Sequence, residues 1–453
     1  YLITFLIGSF VLRSQSLNRA VSYTGNGDKR GKATALSGNA QFVTGDFTGT
    51  LTVPGSPGTT LSSAGGKDIF ITQHSGTSTW AISLGGSNDD AATSIVSDQD
   101  GNLLVSGYYS GVVDFDPGPG TSTLSAGPGV NAFVAKFDPN GLLIWSRSFG
   151  GTGIHRANDL DVDLAGNVYV CGSMQGNGDY DPGAGTFSLI MTGGNTDGFV
   201  CKIDKDGNFI WAQRFGGSSG ATISADAIEV EASQHVCLTG SFNGTVDFDP
   251  SAGSYNIGSS GLGDVFMMRL RPSGSLHWAN TAGSSGLSFG KDVVLSAKGI
   301  VFTGLFNGNV DFDPGVPLNE IYGWNDLFVI TVDTLGSVVW LRTSNNQNYT
   351  EPHAITAGAG YLYLTGEYAG NADFDFDSLS SVNKTAVGMN DVFFLQLTDD
   401  GDFYSVASMG GAGDDAGLGI TWVPFAEVLI TGSYARVFTG DSDFDPGSGV
   451  YNL

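Results

Sequence analysis

Basic residues are scarce. Lys and Arg number 19 against 45 Asp and Glu, a formal charge of −26. Binding to DNA or RNA draws most of its affinity from cationic side chains on phosphates, so no nucleic-acid partner is expected. An anionic membrane would repel the chain in the same way, which leaves cations, divalent metals, neutral glycans and basic protein surfaces as partners. Cysteine is nearly absent: Cys171, Cys201 and Cys237 are too few and too irregular for a disulfide framework or a zinc site. Each lies in an apolar stretch and reads as a small buried hydrophobe. Long apolar runs are missing too. The longest, YLITFLIGSFVL, has 12 residues, where a bilayer span takes ~20. No membrane span is expected in the mature chain. The run has the length of a signal-peptide h-region, so residues 1–16 are read as a leader remnant, with a strand of the fold as the alternative. Residues 17–453 are then one domain, exported to the medium or the cell surface and monomeric.

Other classes fall away on composition. Hydrophobic residues make up 41% and aromatics 11%, which excludes disorder. Gly is plentiful, 69 of 453 residues, about twice the usual ~7%, yet it does not recur every third residue as collagen requires.

What is present is a repeat. A tripeptide close to V-T-G ends at Gly45, Gly107, Gly172, Gly240, Gly304, Gly366 and Gly432, at intervals of 62 to 68 residues. Asp or Asn with Phe two positions on recurs at Asp68, Asn131, Asp197, Asp264, Asp326 and Asp391. Gly stands four residues before Trp at Trp80, Trp145, Trp211, Trp278 and Trp340, and Ser405 takes the Trp place in the sixth repeat. In one repeat, 197–203 and 208–215 predict one hairpin, and 225–231 and 235–242 a second. Their alternation and their Val, Ile, Phe and Trp content suit half-buried strands. D-P-N-G, D-K-D-G and P-S-G place Gly where φ must be positive. Four antiparallel strands repeated about seven times describe an all-β, seven-bladed β-propeller; a β-solenoid would need shorter coils. The V-T-G half occurs seven times and the Phe/Trp half six times, with the unmatched copy at 33–47. The last blade is therefore expected to be incomplete, the chain ending before the hairpin that would close it.

After each V-T-G strand comes an acidic corner, D-x-D-P-G or a near relative. The pairs are Asp114 and Asp116, Asp179 and Asp181, Asp247 and Asp249, Asp311 and Asp313, Asp373 and Asp375, and Asp443 and Asp445. The first repeat has Thr52-Val53-Pro54-Gly55 instead. In an extended segment, residues i and i+2 share a face. Two carboxylates held so close repel, and a cation relieves them; oxygen-only ligands suit calcium (Ca2+), which makes the twelve Asp candidate metal ligands. The other reading is a plain turn, with Asp capping through Asx hydrogen bonds and the aromatic as a plug.

Signs of catalysis are poor. His74, His155, His235, His277 and His353 occupy different repeat positions without metal-ligand spacing, and no nucleophile elbow with triad partners appears. A propeller enzyme must break its own symmetry. His155-Arg156 is the most asymmetric spot, and Glu351-Pro352-His353 comes after it. The five regular Trp read as packing between neighbouring blades; Trp324 and Trp422 fall outside the register and are candidates for an aromatic platform.

On these residues the chain resembles the SBBP-type β-propeller repeat proteins, exported bacterial proteins built on D-x-F, G-N, W, G-G, V-T-G and D-F-D-P-G. The likeness is nearly literal at 131–183 and 197–250 and covers roughly 33–450. It implies the fold and an exported module, and names no activity. The sequence thus points to a non-enzymatic binding, adhesion or structural scaffold with a protein or glycan ligand, possible calcium stabilisation included; a glycan-active hydrolase or lyase using the central channel is the alternative.

Overall fold

The computed structural model describes residues 2–8, 16–54, 59–75, 78–313, 320–344, 348–376, 380–423 and 427–434. Among these there are 34 strands and no helix. The recurring element is a four-stranded antiparallel sheet in simple up-and-down order, a propeller blade. Such a sheet reads, for instance, Lys29–Ser37, Ala40–Phe47, Asp68–Ser75, Ser78–Leu84.

The sequence landmarks explain why this sheet recurs. The Thr of V-T-G is buried and donates to the carbonyl of the landmark Phe on the third strand. Thr44 meets Phe70 at 2.8 Å, Thr239 meets Phe266 at 2.7 Å, Thr303 meets Phe328 at 2.8 Å and Thr365 meets Phe393 at 2.9 Å. The Gly of V-T-G faces a bulge in the first strand. A Cβ at Gly172 would stand 1.9 Å from the Arg156 carbonyl oxygen, so no larger residue fits. The turn between third and fourth strands is set by its Asp and Gly. Asp138 accepts from the backbone N–H of Asn140 at 2.8 Å and Leu142 at 2.9 Å, and Gly141 takes φ +83°, where a side chain is strained.

The chain forms two compact units: Thr24–Ser259 with Phe266–Ala279, and the described parts of Tyr1–Tyr23, Ser260–Val265 and Asn280–Leu453. In the first unit, two runs of four strands, Ala91–Ser97 to Leu143–Gly151 and Ile154–Val162 to Phe209–Gly217, join through a parallel bridge, Val130 to Ile154. Trp80, Trp145 and Trp211 donate their indole N–H to carbonyls of the following repeat, Pro139, Lys205 and Pro272, at 3.2–3.3 Å. Trp340 does the same to Asp399 at 3.1 Å in the second unit. These four regular Trp are inter-repeat packing residues, as their spacing predicts. Cys171, Cys201 and Cys237 are buried free thiols, also as read.

The second unit holds sheets running from Phe289–Ser296 to Val338–Thr343 and from Thr350–Gly358 to Phe403–Met409. A further sheet is assembled from both ends of the described chain: Asp415–Val423, Glu427–Tyr434, Leu2–Gly8, Ser16–Tyr23. Leu2–Gly8 pairs antiparallel with Glu427–Tyr434 on one side and Ser16–Tyr23 on the other. The segment read as a leader remnant thus occupies the third-strand place, the position expected of a hairpin beyond the C-terminus. A central strand and a leader core make the same demand for apolar residues, so composition alone does not separate them.

Candidate functional site

The acidic corners are the first predicted site, and the structure shows what their oxygens do. Asp114 Oδ1 accepts from the N–H of Asp116 at 3.0 Å and Ser122 at 2.7 Å, while Asp116 Oδ1 accepts from Gly118 at 2.8 Å. Asp179 serves Asp181 and Phe187, and Asp181 serves Gly183, at 2.8–3.0 Å. Asp247 serves Asp249 and Tyr255, and Asp249 serves Ser251, at 2.7–3.1 Å. Asp311 accepts from Asp313 at 3.0 Å, and Asp373 from Asp375 at 3.1 Å and Val382 at 2.7 Å. Phe115, Tyr180, Phe248, Phe312 and Phe374 are buried between the paired Asp. This is the bracing arrangement of an Asx turn with an aromatic plug. Among the described residues, no group of three or more His, Cys, Asp or Glu side chains could hold a metal ion. Asp443 and Asp445 lie outside the described residues.

A second repeated carboxylate sits where the third strand begins. Asp68, Asp197, Asp264, Asp326 and Asp391 are buried. Each accepts through Oδ2 a backbone N–H from two to five residues upstream, at 2.7–3.4 Å. Burial pushes the carboxyl groups of Asp68, Asp197 and Asp264 up, and that of Asp391 to about 6. These groups fasten the start of the strand.

The repeated polar residues are therefore committed to the scaffold, and a ligand site must be sought where repeats differ. His155 does not supply one. It is buried, its Nδ1 lies 3.1 Å from the Tyr180 hydroxyl, and burial lowers its pKa to about 4. Arg156 lies over the Tyr108 ring, 4.6 Å from its centroid. Of the two out-of-register Trp, Trp422 is half-buried against Gly358 and Trp324 is exposed.

One rung of the first and second strands separates the repeats. Directly opposed there are Arg30 and Asp46, Ala91 and Tyr108, Arg156 and Ser173, Ser224 and Ser241, Phe289 and Leu305, Glu351 and Glu367, Ala416 and Ser433. Glu351 with Glu367 sets two acids face to face, which destabilises a sheet. The neighbours answer that repulsion. Lys291 Nζ lies 2.5 Å from Glu351 Oε1. The Tyr349 hydroxyl sits between the carboxylates, hydrogen-bonded to Glu351 and 3.1 Å from Glu367 Oε1. His353 places Nδ1 4.0 Å from Glu351 Oε1 and Nε2 4.0 Å from Glu367 Oε1. The two ring nitrogens face different carboxylates, so the three side chains do not converge on one point. Burial first, then Glu351 and Asp414, push Glu367 up to about 7. Burial lowers His353 to about 4, against the opposing pull of Glu351. One hydroxyl hydrogen cannot serve two carboxylates. A proton on Glu367 completes a chain in which Glu367 donates to Tyr349 and Tyr349 to Glu351, whose charge Lys291 balances. Lys291, Glu351, His353 and Glu367 all keep some solvent access.

The sequence singled out Glu351 and His353 but not Lys291, Tyr349 or Glu367. Comparing one rung across repeats would have found Glu367, because V-T-G is followed there by Asp, Tyr, Ser, Ser, Leu, Glu and Ser.

No family model matches the chain. It is 25% identical over 278 residues to an uncharacterized WD repeat-containing protein of Acanthamoeba polyphaga mimivirus, a match that covers 53% of this chain and 20% of that protein. The chain thus spans about a fifth of that relative's length. With the blade-like sheets, this likeness supports a repeat propeller.

Proposed function

We propose that the chain is a seven-bladed propeller of the exported SBBP type that acts as a non-enzymatic binding or adhesion scaffold. Its ligand site is the Lys291, Tyr349, Glu351, His353 and Glu367 cluster, and the ligand is a neutral glycan. The observation that carries the reading is the Glu351–Glu367 rung, a like-charge pair kept where every other repeat has something else. The cluster offers donors and acceptors in pairs, with Lys291 and Tyr349 reaching the carboxyl groups of Glu351 and Glu367. That suits vicinal hydroxyls better than an ion. The seven V-T-G copies support the blade count, and the charge of −26 argues against polyanionic ligands. The test is a glycan array probed with wild-type protein and with Glu351→Gln and Glu367→Gln. Loss of the same signals in both variants at unchanged melting temperature supports the site; equal signals in all three remove it.

A second reading rests on Glu367. A carboxylic acid holding its proton near pH 7 beside an ionised partner is the arrangement of a general acid in glycoside cleavage. Release of reducing ends from the glycans the array selects, abolished by Glu367→Gln, would favour that hydrolase over the scaffold.

A further inference from the structure

The residues just before the third strand hold a pattern that the repeat does not require. Counted back from the landmark Asp or Asn, position −2 is Gly66, Gly129 and Asn195 in the first three repeats, then Leu262, Trp324 and Met389. Position −4 runs Ala64, Gly127, Gly193 and Ser260, then Tyr322 and Val387. Three consecutive repeats thus replace small or polar residues with large apolar ones. The structure leaves all five in water: Leu262 is 67% exposed, Tyr322 62%, Trp324 57%, Val387 75% and Met389 65%. All belong to the second unit.

The direction of Tyr322 and Trp324 is built in. Tyr322, Gly323 and Trp324 pair in register with Asn309, Gly308 and Asn307, so the Tyr322 and Trp324 side chains leave on the same side, while Val387, Gly388 and Met389 lie at a bulge opposite Gly370. A Cβ at Gly323 would meet the Phe306 ring at 2.4 Å, so this glycine seats the hairpin on a buried aromatic while Tyr322 and Trp324 face outward. Exposed apolar side chains are ordinary when scattered. Five of them recur at two equivalent positions of successive repeats, a regularity that random scatter does not produce. Met and aromatic residues are the types enriched where proteins meet. Two acids, Glu320 and Asp414, are exposed beside the set against one half-buried base, Lys384, on a chain of −26.

We propose that this ridge docks a protein segment that is amphipathic, with apolar anchors and basic flanks. The apolar side chains take the anchors, and the acidic surroundings take the Lys or Arg and speed encounter. None of the five apolar side chains belongs to the Glu351 cluster, although Asp414 also acts on Glu367.

The probe is a synthetic 15-residue Leu/Lys amphipathic peptide, read by fluorescence anisotropy of a label on the peptide. Saturable binding is expected, weakening with added salt. Trp324→Ser and Met389→Ser should each weaken it at least tenfold while the melting temperature stays at the wild-type value. Glycan binding by Glu351 and Glu367, where present, should be unaffected by Trp324→Ser. Absence of binding by wild-type protein overturns the proposal, as does binding that both variants retain. Neutral phosphatidylcholine vesicles form the second arm; Trp324-dependent binding there without peptide binding assigns the ridge to a lipid surface and overturns the protein partner. Trp324-dependent dimerisation in sedimentation assigns it to a second copy of the chain, with the same consequence.

Discussion

Ser344 donates its hydroxyl to Asp326 Oδ1 at 3.1 Å and accepts the backbone N–H of Leu327 at 2.9 Å. At the equivalent place, four residues after the regular Trp or Ser405, the other repeats have Leu84, Phe149, Phe215, Ala282 and Met409, none of which carries a hydroxyl. There the corresponding oxygens of Asp68, Asn131, Asp197, Asp264 and Asp391 are buried without a hydrogen-bond partner among the described residues. One serine hydroxyl thus does in its repeat what no side chain does in the others. Ser344→Gly removes both bonds and should cost about 1–3 kcal/mol, measured by urea unfolding with an unchanged slope. A loss under a few tenths of a kcal/mol would show that the hydroxyl is replaced at no cost.

A side chain at the glycine one place further along should fail. A Cβ at Gly283 would lie 1.9 Å from the Asp264 carboxyl carbon, and one at Gly216 2.3 Å from Asp197 Oδ1. At Gly283 the nearest atoms all belong to the Asp264 carboxyl group, which the Ser260 N–H pins; at Gly216 they are the Asp197 carboxylate, pinned by Thr192, and the Arg214 guanidinium. Gly283→Ala is therefore expected to destabilise by about 3 kcal/mol or to prevent folding, at the upper end of overpacking effects. The paired variant Gly283→Ala with Asp264→Ala keeps the test informative, because removing the carboxylate should restore part of the loss.

These landmarks show how much was legible. V-T-G, Asp-x-Phe and G-x-x-x-W are local and repeated, and each turns out to be one end of a contact: Thr303 to Phe328, Trp145 to Lys205. The fold class follows from them. The pairing of Leu2–Gly8 with Glu427–Tyr434 is a contact between opposite ends of the sequence, and no periodicity announces it. The Glu351–Glu367 rung escaped for a related reason. Its residues lie on different strands, so the repulsion between them exists only once the register is known.

The pH dependence of stability should carry the mark of Glu367. Its pKa is raised to about 7 from an unfolded value near 4.5, so the folded protein binds a proton that the unfolded chain releases. The stabilisation is fully present below about pH 4.5 and is lost as pH rises through 7. Asp161, which burial and then Asp159 and Asp163 push up to about 7, acts in the same direction over the same window. Asp90 and Asp391, raised to about 6, do so over a lower one. His155 and His353, lowered to about 4, act oppositely, withdrawing stability as pH falls from 6.5 towards 4. Between pH 6.5 and 8 Glu367 and Asp161 therefore dominate. Each should remove on the order of 1 kcal/mol across that interval, because a tenfold change in proton affinity is worth ~1.4 kcal/mol. Glu367→Gln should take away about half of the wild-type slope. Parallel curves for the two proteins would place the proton elsewhere.

The corner at Asp247 separates a turn brace from a calcium site. Its Oδ1 accepts from the N–H of Asp249 at 3.1 Å and Tyr255 at 2.7 Å, and an amide oxygen can accept both bonds where a methyl cannot. Asp247→Asn should therefore cost well under 1 kcal/mol and Asp247→Ala about 1–2 kcal/mol. A calcium ligand behaves differently, because the ion needs the carboxylate charge and Asn would lose nearly as much as Ala. Melting temperatures in 5 mM EDTA and in 5 mM calcium chloride, with roughly equal ionic strength, complete the comparison. The bracing geometry leads to equal values for wild type. A calcium-dependent rise that Asp247→Asn diminishes would instead establish that the paired carboxylates hold the ion.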